Sequence, residues 1–219
     1  MKLYKITFFC CLFLIVSCND FLKLEPGQQI SIKEQLSTKN GLELSLNGLY
    51  YDIEDLFSSF QVIYPDVQGG NITFSPVINN KEVSISSIIE NSYNFSDFAE
   101  DSNYTGFYTS LYDIINQINV ILVYFDTYTF LSQDERNQLQ AELLAMRAFA
   151  HYQISIMYAQ NYNFTSDASH LGIVYNTSPL LIGVDFPARK TMQETYTLLK
   201  NDLNTALSLF TNTQFLAGA

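Results

Sequence analysis

The chain has 219 residues, 47% of them hydrophobic, and a formal net charge of −11 at pH 7. This length supports one substantial hydrophobic core, and the acidic balance disfavours binding to the phosphates of nucleic acids. Fifteen tyrosines and seventeen phenylalanines occur without any tryptophan.

The chain begins with the features of a bacterial lipoprotein signal. Lys2 and Lys5 precede an apolar stretch over residues 6–16, and Ser17 precedes Cys18, which is the order of a secretory signal. The stretch has about half of the roughly 20 residues that a membrane-spanning helix needs. We predict a signal peptide over residues 1–17, lipidation of Cys18 and a tether over residues 18–36. The alternative is an ordinary cleavage site that happens to precede a cysteine.

Four later segments space their apolar side chains three and four residues apart, which predicts amphipathic helices. The first begins between residues 31 and 38 and ends near residue 57, and the second covers about residues 104–127. The third extends to about residue 160 and begins with a capping box of Ser132 and Glu135. The fourth follows the same pattern in Thr191 and Glu194.

Two irregular stretches separate these helices, over residues 58–102 and 161–189. Loops of such length are uncommon in compact domains unless they bind something or are disordered, and the aromatic content of the first disfavours disorder. Apart from short strands in these insertions, no segment predicts β-structure. The sequence therefore predicts an all-α fold over residues 37–219, made of tetratricopeptide-like helical hairpins with long irregular insertions.

Several segments, in this order along the chain, resemble motifs of the SusD/RagB family of outer-membrane nutrient-binding lipoproteins from Bacteroidetes. They are Ser17-Cys18-Asn19-Asp20-Phe21-Leu22, Gly48-Leu49-Tyr50, the pattern Phe107-Tyr108 to Leu111-Tyr112 with Ile115 and Asn119, Glu142-Leu143-Leu144-Ala145-Met146-Arg147-Ala148, and Arg189-Lys190-Thr191-Met192-Gln193-Glu194-Thr195-Tyr196.

The resemblance implies a lipid-anchored protein of the outer membrane that faces the cell exterior. Such a protein captures a glycan, or sometimes a peptide, and delivers it to a SusC-like TonB-dependent transporter without catalysis and without a cofactor. Typical members continue well beyond the length of this chain, so we expect a truncated member that corresponds to the N-terminal part of the family. The alternative is a helical protein-docking scaffold, or a degenerate fragment, without ligand binding.

Aromatic side chains in the first insertion are the candidates for a glycan-binding surface, because a sugar ring stacks on an aromatic face while its hydroxyls bond to polar neighbours. Asparagines at positions 71, 79, 91 and 94 lie near them in sequence. The candidates are Phe60, Tyr64, Phe74, Tyr93 and Phe95. The alternative is that these side chains hold the insertion against the helical scaffold.

The sequence offers little support for an enzyme. It contains no GxSxG, HExxH or P-loop motif, and Cys18 is the only cysteine after the signal, so we predict no catalytic residue and no metal site. His151 and His170 are isolated, and we expect them on a polar helix surface and in a loop. Arg147, among apolar neighbours, is expected to anchor helix packing.

Overall fold

The computed structural model describes residues 31–58, 62–72, 77–78, 81–82, 84–98, 102–181 and 183–211. Cys18, Phe60 and Phe74 lie outside these residues. The chain divides into two compact units, Met1–Gln35 and Leu36–Ala219. In the first unit the described residues form one short helix, α1 (Ile32–Gln35).

The second unit contains the elements that position the site. In chain order they are α2 (Lys39–Phe57), α3 (Tyr64–Gln68), β1 (Val77–Ile78), β2 (Lys81–Glu82), α4 (Ser87–Tyr93), α5 (Ser102–Val123), α6 (Gln133–Tyr158) and α7 (Met192–Leu209). Single-turn 3₁₀ helices lie at Phe125–Thr127 and Tyr162–Phe164.

Side-chain caps fix where α2, α6 and α7 begin. Ser132 Oγ accepts the backbone N–H of Glu135 at 3.3 Å, and the Glu135 carboxylate accepts the Ser132 N–H at 2.8 Å. Thr191 and Glu194 make the same pair of bonds at 3.1 and 2.8 Å, so both predicted capping boxes are confirmed. Thr38 caps α2 by accepting from the Gly41 N–H at 3.2 Å.

The apolar faces of the four long helices form one core, in which Leu46, Ile115, Leu143 and Ile154 are fully buried. Burial of each such side chain stabilises the fold by about 1.5–3 kcal/mol. Helices α6 and α7 are antiparallel, as the hydrogen bonds from Arg147 to Asp202 and from Thr211 to Gln138 require. The predicted all-α fold of tetratricopeptide-like hairpins is confirmed.

The first insertion has more regular structure than its sequence predicted. It contains α3, α4 and a small antiparallel hairpin that pairs Val77 with Glu82 and Ile78 with Lys81. Helices of five and seven residues are too short to display the periodicity that reveals longer helices in a sequence. Within the part of the chain that the structure describes, no helix is both long and apolar enough to cross a membrane.

Candidate ligand-binding site

A cleft of about 520 Å³ lies along α5. Its opposite wall is an irregular stretch, residues 174–181, which we call the cleft segment, together with the turn that follows. The walls combine aromatic rings with amides and carboxylates. The lining residues are Tyr108, Thr109, Tyr112, Asp113, Asn116, Asn119, Val174, Asn176, Leu180, Asp185, Phe186 and Pro187.

A polar stripe on α5 holds the cleft segment in place. The Tyr112 hydroxyl donates to the carbonyl of residue 174 at 2.9 Å. The Asn116 Oδ1 accepts the N–H of residue 180 at 2.8 Å. The Asn119 Nδ2 donates to the carbonyls of residues 176 and 178, both at 3.2 Å. Since these three side chains are four and three residues apart, they share one face of the helix.

A buried ion pair lies beneath this stripe. Arg147 donates to the Asp202 carboxylate through Nε at 2.8 Å and Nη2 at 2.7 Å, which is the bidentate geometry of a strong charge-assisted pair. Its Nη1 donates to Asn119 Oδ1 at 2.9 Å. Tyr175, in the cleft segment, also donates to Asp202 at 2.7 Å. Arg147 therefore anchors helix packing, as predicted, and it fixes the floor of the cleft as well.

His151 lies behind the cleft segment, and its predicted place on a polar helix surface is wrong. The side chain is fully buried, because the cleft segment covers it and Tyr175 stacks on the imidazole with ring centroids 3.7 Å apart. Nε2 accepts the Asn176 N–H at 3.0 Å, so Nδ1 carries the proton and donates to the carbonyl of Arg147 at 2.9 Å. Burial lowers the pKa of His151 to about 3, and its role is structural.

Tyrosines at four-residue intervals on α5 connect the cleft with the first insertion. The rings of Tyr108 and Tyr112 lie 4.7 Å apart between centroids, and Tyr158 packs edge-on against Tyr108 at 5.1 Å. Tyr104, one turn earlier, contacts the ring of Tyr64 at 4.9 Å. We call Tyr104, Tyr108 and Tyr112 the tyrosine row, and it extends over about 12 Å of helix.

Within the tyrosine row, Tyr108 offers a ring face to a ligand, whereas the Tyr104 and Tyr112 hydroxyls already donate within the protein. Tyr108 is 38% exposed and borders the cleft. Burial raises the pKa of the Tyr112 phenol well above its ordinary value, and burial likewise raises that of Tyr158 to about 12. These hydroxyls therefore stay protonated at neutral pH, and they donate to the carbonyls of residues 174 and 104.

The sequence-predicted candidates that the structure describes, Tyr64, Tyr93 and Phe95, lie outside the cleft. Tyr64 is partly buried against the tyrosine row, whereas Tyr93 and Phe95 are 41% and 69% exposed beside α4. None of these three residues lines the cleft, and Phe60 and Phe74 lie outside the described residues. The insertion surface thus remains a prediction, and the cleft is a second candidate. The four-residue spacing of the tyrosines is the sequence signal that points to it.

The described residues include no group of three or more His, Cys, Asp or Glu side chains arranged to hold a metal ion. Asp113 and Asp185 are the titratable carboxylates of the cleft, and both are exposed. The arrangement can therefore stack a ring and bond to hydroxyls, which are the interactions of a binding site.

Comparison with known proteins identifies a family and a fold that the chain shares. The model of the SusD-like family, described as starch-binding and associating with the outer membrane, matches residues 20–216. A SusD superfamily protein from Bacteroides thetaiotaomicron VPI-5482 has the same fold, with a TM-score of 0.60 and 23% identity over 80% of this chain and 38% of that one. A protein designated sugar-binding from Bacteroides vulgatus ATCC 8482 gives 0.61 and 25% over 78% and 37%. No curated protein matches the chain.

Proposed function

The chain belongs to the SusD-like family, and we propose that it captures glycans at the cell surface as a non-catalytic lipoprotein. The observation that carries this proposal is the cleft, in which exposed tyrosine ring lies beside amides and carboxylates. The apolar C–H face of a sugar packs on such a ring, and its hydroxyls need polar partners once they leave water. The chain spans less than two fifths of the length of either solved relative. The proposal therefore rests on the cleft of this chain and not on the activity of the longer proteins.

Non-catalytic capture fits the chemistry of the buried groups. His151, the residue that would otherwise be a general base, has both ring nitrogens engaged and is buried. Its lowered pKa makes it a weak base. Arg147 and Asp202 neutralise each other within the scaffold.

The proposed location is the outer membrane, with the protein facing outward on a lipidated Cys18. A diacylated or triacylated cysteine anchors far more firmly than one acyl chain, since each buried CH₂ contributes about 0.8 kcal/mol. The proposed partner is a SusC-like TonB-dependent transporter that receives the glycan. Fractionation of cells that express Cys18→Ala tests the anchor, and an undiminished membrane fraction would contradict it.

A binding screen on the soluble chain, from Asn19 to Ala219, tests glycan capture after circular dichroism has shown a cooperative helical melt. Tyr108→Ala should weaken a hit at least tenfold if the cleft binds it, because the ring supplies the stacking face. Paired Tyr93→Ala and Phe95→Ala substitutions should do so if the insertion binds it. Tyr51→Ala is the matched control, since Tyr51 is an exposed tyrosine of α2 outside the cleft.

A protein-docking scaffold is the second candidate function. It is favoured by a stripe of exposed apolar side chains on α6, formed by Phe149, Tyr152 and Ile156. These residues are three and four apart, so they lie on one face, and exposed apolar patches mark interaction surfaces. A folded chain that binds its transporter but neither glycan nor peptide would establish this alternative.

A further inference from the structure

Carboxylates stand on both walls of the cleft. Asp113 projects from α5, and Asp185 lies in the turn after the cleft segment. No lysine, arginine or histidine is among the residues that line the cleft. The polar partners available to a ligand are therefore amides, hydroxyls and negative charges.

Negatively charged side chains also line an adjoining groove between α2 and α5. This groove has a volume of about 240 Å³ and shares Asp113 with the cleft. Asp52 and Asp55 line its other side, where Gln117 donates to Asp52 at 3.0 Å. A ligand that extends from the cleft toward α2 thus meets further carboxylates.

These charges have no cationic partner within the described part of the chain. The ion pairs found there join Lys39 to Glu135, Arg136 to Asp126 and Arg147 to Asp202. Asp185 accepts the Leu181 N–H at 2.7 Å, which shapes the turn but adds no charge. Nor do the described carboxylates gather closely enough to hold a neutralising metal ion. Arg189 is the cation whose charge reaches Tyr112, and its guanidinium donates to the carbonyls of residues 171 and 172, which do not line the cleft. The charged side chains that line the cleft are therefore both negative.

We infer that the cleft selects ligands by charge, taking neutral or amine-bearing glycans and rejecting glycans that carry uronic acid or sulfate groups. A carboxylate on the ligand would lie within a Debye length of Asp113 and Asp185, where repulsion is incompletely screened. A hydroxyl or an ammonium group donates to the same oxygens. This inference rests on the proposed function, because it names the class of glycan that the cleft takes.

The test compares neutral, acidic and amino oligosaccharides of similar length on the soluble chain. Maltoheptaose, cellohexaose and galactan oligosaccharides represent the first class, oligogalacturonides the second and chitosan oligosaccharides the third. At low salt, about 20 mM, the best neutral ligand should bind at least roughly tenfold more tightly than any oligogalacturonide. At about 500 mM salt this ratio should shrink severalfold, because the ions screen the repulsion.

Isosteric variants test whether the charges of Asp113 and Asp185 cause the selectivity. Asp113→Asn combined with Asp185→Asn removes the charge at constant shape, and the amide oxygen at position 185 can still accept the Leu181 N–H. This variant should raise the acidic-to-neutral affinity ratio about tenfold. Asp134→Asn with Glu54→Gln is the matched control, because it removes two exposed charges outside both grooves and should leave the ratio unchanged.

The outcomes distinguish failure of the charge selectivity from failure of glycan capture. Equal binding of neutral and acidic glycans by the wild-type chain would overturn the charge selectivity and leave glycan capture intact. A ratio that responds equally to the cleft variant and the control would also overturn it, by assigning the effect to overall charge. A folded chain that binds none of the three classes would instead refute glycan capture and the inference with it.

Discussion

The cleft segment and the first insertion look alike in sequence and differ in how they are held. Both lack helical periodicity, and both contain aromatic and polar residues. The side-chain hydrogen bonds from α5 to the cleft segment span 57 to 64 residues. Around α4, the hydrogen bonds that join Asp97, Ser92 and Tyr104 span 5 to 12 residues, and α3 reaches α5 through the ring of Tyr64, which packs on Tyr104.

This difference separates an irregular segment that is bonded along its length to the scaffold from one that is bonded mainly within itself and meets α5 at Tyr104. Opening of the cleft segment breaks bonds to α5 and to His151 on α6, so we expect it to unfold together with the core. The insertion can open while those bonds remain, which is the behaviour of a low-stability local unit. Native-state hydrogen exchange should therefore show global protection at residues 176 and 180 and weaker protection in α4.

The largest expected effect comes from breaking the ion pair beneath the cleft. Arg147→Met leaves the Asp202 carboxylate buried without its cation, and loss of one partner of a buried pair costs about 3–5 kcal/mol. It also removes a partner of Asn119, which holds the cleft segment. Urea denaturation should show the loss in the free energy of unfolding, and hydrogen exchange should show faster exchange in the cleft segment than in wild type.

A double variant separates the attraction between the two charges from the cost of burying them. Arg147→Met with Asp202→Leu replaces both charges by apolar groups and should recover a large part of the lost stability, as apolar replacements of buried pairs do. Recovery should stay incomplete, because Tyr175 loses the carboxylate to which it donates. A loss below about 1 kcal/mol in the single variant would mean that the pair does not support the scaffold.

The next effect is a dependence of the free energy of unfolding on pH, which arises from His151 behind the cleft segment. Burial lowers the pKa of His151 to about 3 in the folded chain, against about 6.5 when it is unfolded and solvated. Between these values the unfolded state binds the proton and the folded state does not. Stability is therefore greatest above pH 6.5 and falls as the pH decreases, by up to about 1.4 kcal/mol per unit from this group.

The contribution of His151 to the pH dependence of stability is best measured between about pH 6.5 and 4.5. Below it, carboxylates such as Glu135, whose pKa is lowered to about 2 by its hydrogen bonds with Lys39 and Ser132, destabilise the fold with the same sign. Urea midpoints across this window should slope in wild type and flatten in His151→Gln, which cannot take up the proton. Equal slopes in the two proteins would refute this role of the histidine.

The sequence predicts the features that neighbouring residues determine. Ser132 and Thr191 mark helix starts because their capping partners are three residues away, and the charge of Arg147 among apolar residues predicts its anchoring role. The burial of His151 depends on a segment that returns 25 residues later. The cleft depends on contacts across about 60 residues, which a helical spacing of tyrosines and asparagines suggests but does not specify.

The smallest expected effect concerns Phe95, which follows α4 in a left-handed conformation with φ of 54°. Such a conformation costs a bulky residue about 1–2 kcal/mol, and glycine adopts it freely at a lesser cost in chain entropy. Phe95→Gly should therefore stabilise the insertion locally by up to about 1 kcal/mol, whereas Phe95→Ala keeps the strain and should not. Exchange rates of the α4 amides measure this difference.

The same two variants, assayed for glycan binding, decide what the strained ring does. The Phe95 side chain is 69% exposed, so it contributes little packing that could compensate for its backbone strain. If both variants lose binding while only Phe95→Gly gains stability, the ring is held for ligand contact at the expense of local stability. If binding is unchanged in both and falls with Tyr108→Ala, the ligand surface is the rigid cleft and the insertion does not contact the glycan at this position.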